Sequence, residues 1–173
     1  MKIILETSRL YCREFEPADG PLAYELNADP EVLRYTGDDP FESPEAATEF
    51  LKNYPDYRKN GYGRWAVIRK EDDAFLGWCG LKLHPDGSVD IGYRFFKKYW
   101  NQGYATESAQ ACMGYGFTVL GLPEIIGRAS RENGASIRVF EKLGMHHWKD
   151  EPCEGINDSV VYRLQNPGTK KSP

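Results

Sequence analysis

The chain has 173 residues, with 22 Lys and Arg against 26 Asp and Glu and a net charge of −4. Hydrophobic residues make up 40% and charged residues 28%, the proportions of one globular domain, which excludes wholesale disorder and fibrous repeats. No apolar stretch approaches the roughly 20 residues of a membrane helix. The acidic balance also speaks against a nucleic-acid binder, which needs a basic face. The start, Met1 to Leu10, turns charged before an export signal could build its apolar run, so a cytoplasmic protein with no membrane partner is expected. Cys12, Cys79, Cys112 and Cys153 form no C-x-x-C pair and are expected reduced, and His84, His146 and His147 have no metal-ligand spacing, so no metal is expected.

In chain order, Arg9–Glu14 alternates as a first strand, and Glu16-Pro-Ala-Asp19 opens a helical stretch to about Asn27. Asp29-Pro30-Glu31 restarts a short helix. Ser43-Pro44-Glu45 is a helix start, with a capping hydroxyl, proline at the first helical position and an acid in the first turn. That helix should reach about Lys59, kinked or ended by Pro55. From Gly63 the period changes. Arg64–Arg69, Ala74–Leu83 and Val89–Phe95 read as an antiparallel meander, with the turn His84-Pro-Asp-Gly87 between the last two. A long helix follows from about Tyr104 to Leu120, then a strand at Glu124–Ala129 and a helix from the cap Asn133 to Leu143. Strands from Met145 to about Glu151 and at Ser159–Leu164 close the domain. The order is α+β, with one strand–helix–strand unit whose two strands should be parallel. The domain is expected to span 1–165, and the polar residues 166–173 to form a disordered tail.

Two segments could carry chemistry. In Trp100-Asn-Gln-Gly-Tyr-Ala-Thr-Glu107 a glycine turn leads directly into a helix. A helix start offers free N–H groups and a positive dipole end, a ready anion site, and Gly103 would let the backbone approach a phosphate. The bland alternative is an ordinary turn whose glycine only relieves strain. It is neither a nucleoside-triphosphate loop, which ends in Gly-Lys-Ser/Thr, nor a dinucleotide fingerprint, since G-x-G-x-x-G is absent. In the second segment, Asn133 to Met145, Ile137, Phe140 and Leu143 read as a core stripe. Asn133 and Ser136 read either as caps or as groups at the mouth of the strand–helix unit.

Together these segments resemble the GNAT superfamily of acetyl-CoA dependent N-acetyltransferases, whose phosphate motif is Gln/Arg-x-x-Gly-x-Gly/Ala. Here it stands as Trp100-Asn-Gln-Gly-Tyr-Ala105, departing at the first position. Leu5–Leu10, Phe75–Leu81, Asp90-Ile-Gly-Tyr93, Tyr99–Glu107, Asn133-x-x-Ser136 and Glu141–Met145 are similar to the subgroup that acetylates N-termini of ribosomal proteins. The resemblance runs from about Glu6 to Arg163.

The resemblance implies a mixed sheet of about seven strands with one splayed parallel pair, flanked by helices. It implies coenzyme A between those two strands. Tyr93, Arg94 and Phe95 would meet its pantetheine arm, as would Asn133. The backbone of Gln102, Gly103, Tyr104, Ala105 and Thr106 would meet its pyrophosphate. Asp90 matches a position usually held by Glu and is the expected base, directly or through water, provided that a bulge in its strand corrects its parity. Phe140 stands where many members carry a proton-donating Tyr, so Ser136 is the expected partner of the leaving thiolate. The acceptor implied is an amine, first of all a peptide N-terminal α-amine. A small amine (polyamine, amino acid or amino sugar) is the alternative, and a non-catalytic acyl-CoA sensor is a further one. The acceptor pocket is expected from the helices of the first sixty residues and the last two strands, with one or two of Tyr35, Phe41, Tyr54, Tyr57, Trp65 and Trp78 lining it and the others in the core; the acidic run Asp38, Asp39 and Glu42 could greet a cationic acceptor or be a solvated loop. The protein is expected as a monomer or homodimer.

Overall fold

The computed structural model describes residues 1–152, 155–156 and 158–169, so Cys153 lies outside the described residues. Its centre is an eight-stranded sheet. In chain order the strands are β1 (Ile3–Glu6), β2 (Leu10–Arg13), β3 (Arg64–Arg69), β4 (Ala74–Leu83), β5 (Val89–Phe95), β6 (Glu124–Ser130), β7 (His146–Asp150) and β8 (Ser159–Gln165). They lie in the order β1-β2-β3-β4-β5-β6-β8-β7, antiparallel throughout except for the β5–β6 pair. The helices are α1 (Gly20–Ala28), α2 (Pro30–Leu33), α3 (Pro44–Lys52), α4 (Asp56–Asn60), α5 (Tyr104–Thr118) and α6 (Gly134–Lys142).

The meander strands fall where their period put them. One strand more than expected is present: β1 pairs with β2, with Glu6 opposite Tyr11. The helix expected from Ser43 to Lys59 is two. Ser43 caps α3 through its hydroxyl, which accepts from the Ala46 N–H at 3.0 Å. Pro55 then opens α4, because it can begin a helix but cannot continue one.

Alternation sorts the meander's side chains onto two faces. Trp65, Val67, Cys79, Leu81 and Ile91 join one core cluster with Ala109, Cys112 and Met113 of α5. Ala66, Ile68 and Phe75 face the other way, against Leu26 of α1 and Val32 of α2. Each such fully buried aliphatic or aromatic side chain contributes about 1.5–3 kcal/mol. Gly116 lets α5 lie close to the sheet: a Cβ there would stand 2.9 Å from Ile125 Cδ1 and 3.0 Å from Leu81 Cδ1.

Part of the tail expected to fray is anchored. The Asn166 main-chain N–H donates to the Pro123 carbonyl at 2.8 Å, and its side-chain amide donates to the Phe117 and Leu122 carbonyls. Residues 170–173 lie outside the described residues. No helix of the described residues is long and apolar enough to cross a membrane.

Candidate active site

The parallel strands β5 and β6 pair at Asp90 opposite Ile126 and then part. Into the opening between them falls a cleft of about 500 Å³. Tyr93, Arg94 and Phe95 form one wall, the start of α5 the floor and α6 the other wall, and residues 31–36 rise across from α6. Where β5 leaves β6, its main-chain polar groups on that side lose their strand partner and can take one from a ligand.

The floor is built by backbone conformation. Asn101 has φ +61° and Gly103 φ +81°, both left-handed, so the chain reverses sharply into α5. The first helical hydrogen bond runs from Glu107 N–H to the Gly103 carbonyl at 3.0 Å. The N–H groups of Tyr104, Ala105 and Thr106 precede it and have no partner within the helix. A Cβ on Gly103 would meet only Arg9 Nη2, at 3.3 Å, so the positive φ rather than crowding calls for glycine here. Trp100, at the irregular motif position, donates its indole N–H to the Phe95 carbonyl at 2.9 Å and fixes the turn to the end of β5.

On the far wall the Asn133 side chain accepts from the Ser136 N–H at 3.2 Å and caps α6. Its amide donates to Ser136 Oγ at 3.1 Å. That oxygen is thereby an acceptor, and its own proton is free for a third group. The Tyr93 hydroxyl donates to the Ser136 carbonyl over a long 3.4 Å. Burial pushes the Tyr93 phenol well above its usual range, so it stays protonated. Phe140 is 2% exposed and packs onto Gly127, where a Cβ would stand 2.7 Å from its ring. It is core.

Asp90 lies outside the lining. The β4–β5 register runs unbroken from Gly77 opposite Phe95 to Leu83 opposite Val89, so the expected bulge is absent and alternation holds. Asp90 therefore faces away from Ile91 and Tyr93. Its Oδ1 is 2.9 Å from Arg64 Nη2 and its Oδ2 is 3.1 Å from His84 Nε2. Arg64 Nη1 donates to the carbonyls of Gly80, at 2.8 Å, and of Asp90 itself, at 3.2 Å. No well-aligned hydrogen bond reaches Asp90 Oδ1, so charge attraction carries the pair. Burial alone would raise this carboxyl's pKa; Arg64 and then His84 outweigh it and hold it below the usual carboxylate range.

An Acetyltransferase (GNAT) domain model matches residues 9–146. The chain belongs to the GNAT acetyltransferases. It is 34% identical over 142 residues, 82% of this chain and 81% of the relative, to the uncharacterized N-acetyltransferase YnaD of Bacillus subtilis. A GNAT acetyltransferase from Bacillus anthracis superposes with a TM-score of 0.80 at 30% identity, over 95% of this chain and 99% of that one. Two more distant structures share the fold. One is the spermidine N-acetyltransferase of Vibrio cholerae in complex with CoA and spermine, with TM-score 0.78, 19% identity and coverages of 92% and 97%. The other is the ribosomal-protein-S5-alanine acetyltransferase of Vibrio fischeri, with TM-score 0.79, 16% identity and coverages of 96% and 98%. The ribosomal subgroup is thus one neighbour among several.

The GNAT cleft gathers most of the residues expected from the sequence. Tyr93, Arg94, Phe95, Gly103, Tyr104, Ala105, Thr106, Asn133 and Ser136 line it. Gln102 does not: its amide folds back to the Lys98 carbonyl at 3.0 Å, and Asn101 lines the cleft in its place. The Arg94 guanidinium reaches Asn27 at 3.0 Å and Asp38 at 2.6 Å and lies 5.2 Å from the Trp78 ring centre. Of the wall formed by Glu31 to Thr36, sequence reasoning pointed to Tyr35 alone; it missed the rest, and Arg138 and Lys142 on α6. Their only signal was the i,i+4 spacing of the last two. Among the described residues, no group of three or more His, Cys, Asp or Glu is placed to hold a metal ion.

Proposed function

We propose that this GNAT enzyme moves an acetyl group from acetyl-CoA to the α-amine of a peptide or protein N-terminus. The observation that carries the transfer is one cleft in which unpartnered helix amides, an opened strand and a hydroxyl with a free proton converge. The residues fit the co-substrate. Its diphosphate suits the N–H groups of Gly103 to Thr106 and the positive end of α5. Its amide-bearing arm suits the main chain of Tyr93 to Phe95 and the Asn133 side chain. Acetyl-CoA supplies an activated acetyl thioester and a thiolate leaving group.

The protein's part is to hold and orient these groups and to steer protons. Ser136 Oγ, already accepting from Asn133, turns its proton toward the cleft, where it can polarise a leaving sulfur. The protonated Tyr93 phenol stands next to it on β5 and can serve as a second donor by giving up its long 3.4 Å bond to the Ser136 carbonyl. The lining offers no free carboxylate or imidazole: Glu31 is paired with Lys97, and Asp90 is engaged by Arg64 and His84 outside the cleft. This favours an amine that deprotonates on its own near neutral pH. An α-amine, with a pKa of about 8, does so; a lysine or polyamine amine, near about 10.4, needs a base. Asp90 is therefore proposed as a positioning carboxylate rather than as the base. A small cationic amine is the second reading, favoured by Asp39 and Glu42, which follow the wall of residues 31–36 in the sequence; Asp38 of the same run is held by Arg94.

The test is thiol release from acetyl-CoA with peptides of varied N-terminal residue, amino acids, amino sugars and polyamines. Release with peptides, and none with peptides blocked at the N-terminus, is expected. Release with polyamines alone would overturn the α-amine reading.

A further inference from the structure

We infer that Arg138 and Lys142 of α6 form a subsite for a phosphate monoester, separate from the helix amides of α5, and that this subsite selects coenzyme A over its 3′-dephospho form. The inference rests on the coenzyme reading of the cleft and adds to it the residues that read the third phosphate.

The observation is one of charge pairing. Of the chain's arginines, Arg9, Arg13, Arg64, Arg69, Arg94, Arg128, Arg131 and Arg163 each have a carboxylate oxygen within 4.0 Å. Among the described residues, Arg34, Arg58 and Arg138 have none, and two of these three line the cleft. Arg34 lies over the Tyr35 ring, 5.0 Å from its centre, and so has a partner face. Arg138 has no such ring. Lys142 also lines the cleft, with no carboxylate among the described residues within 4.0 Å. In a chain of net charge −4, bare cations on one wall are a local excess.

Their spacing makes the excess costly. Positions 138 and 142 are four apart on α6, so their side chains are neighbours on one helix face, and like charges there repel. Glu132 and Glu141 are close in sequence, yet neither comes within 4.0 Å of them. The C-terminal helix dipole favours Lys142 in the last turn but does nothing for Arg138 in the body of the helix. Arg138 folds back along the helix instead, bringing Nη1 to 3.2 Å from where a Gly134 Cβ would stand. A ligand phosphate would relieve the repulsion and take the forked donors of Arg138 together with the point charge of Lys142. The diphosphate belongs to the α5 floor, so the α6 wall is left for the phosphate that coenzyme A carries elsewhere, on its ribose.

The test is calorimetric binding of coenzyme A and of 3′-dephospho-coenzyme A to the wild type and to the Arg138→Gln/Lys142→Gln variant, with circular dichroism confirming that the variant is folded. The wild type is expected to bind coenzyme A about 10- to 100-fold more tightly than the dephospho form, the range for charge-assisted bonds to one phosphate. In the variant, coenzyme A affinity should fall to that of the dephospho form, which itself should not change. Equal affinities in the wild type, or equal losses for both ligands in the folded variant, would overturn the subsite. Binding of neither ligand to the wild type would instead sink the coenzyme reading beneath it, and the subsite with it.

Discussion

Replacing Arg64 by Ala should cost this enzyme about as much stability as a large core truncation. The guanidinium occupies the space of a missing side chain: a Cβ on Gly92 would stand 2.6 Å from both Arg64 Cζ and Nη2. From that slot it holds two main-chain carbonyls and the Asp90 carboxylate, with side chains only 15% and 12% exposed. Removing one partner of such a buried pair leaves an uncompensated charge, at a cost of about 3–5 kcal/mol. For a domain of this size that lowers the melting temperature by roughly 6–20 °C. Asp90→Asn should cost a comparable amount, and the double variant clearly less than the sum, because neither charge is then stranded. Gly92→Ala should destabilise the wild type by evicting the guanidinium, yet be close to neutral when Arg64 is already Ala. Urea unfolding of all five variants at neutral pH reads these terms. A loss below about 1 kcal/mol for Arg64→Ala, the level of an exposed pair, or strict additivity with Asp90→Asn, would refute the strut.

Acid should weaken the same network. Asp90 is held below its unfolded value of about 3.9. Its contribution is therefore fully present above that pH and is lost as pH falls through the folded value. Melting curves should show the wild type losing its advantage over Asp90→Asn in this acidic range. Gly103→Ala forces a side chain onto φ +81°, costing about 1 kcal/mol in chemical denaturation and weakening coenzyme binding through the α5 amides. Ser136→Ala should leave coenzyme affinity within a few fold and lower kcat in the thiol-release assay, more so when combined with Tyr93→Phe; an unchanged kcat in the double variant would remove both hydroxyls from the chemistry. Phe140→Ala, at a fully buried position over Gly127, should cost about 3–5 kcal/mol in urea unfolding.

What could be read from the sequence follows the range of the forces involved. The meander was legible because period two and an Asp-Gly turn are local signals, and β3, β4 and β5 begin and end where that pattern does. The α5 floor was legible for the same reason, since a glycine directly before a helix start is a local anion cradle. β1 was not: Ile3–Glu6 is a half-exposed edge strand with no alternation, and only pairing with β2 defines it. Apart from Tyr35, the wall at residues 31–36 was invisible because tertiary contacts hold it in place. Lys97 pairs with Glu31 and Arg94 with Asp38, partners more than fifty residues apart.

Asp90 shows how local and distant information divide a single residue. Alternation along β5 already put its side chain on the face opposite Ile91 and Tyr93, and the family pattern argued for an exception to that parity. The unbroken register with β4 removes the exception. The cause lies in Arg64, on a strand not adjacent to β5, which reaches across β4 over Gly80 and Gly92, two residues without side chains to block it. A carboxylate at a family's base position is a base only where it can meet the amine. In this chain the space beside it is filled by a guanidinium, and under the proposed function the work left to the cleft is that of binding, orientation and a hydroxyl proton.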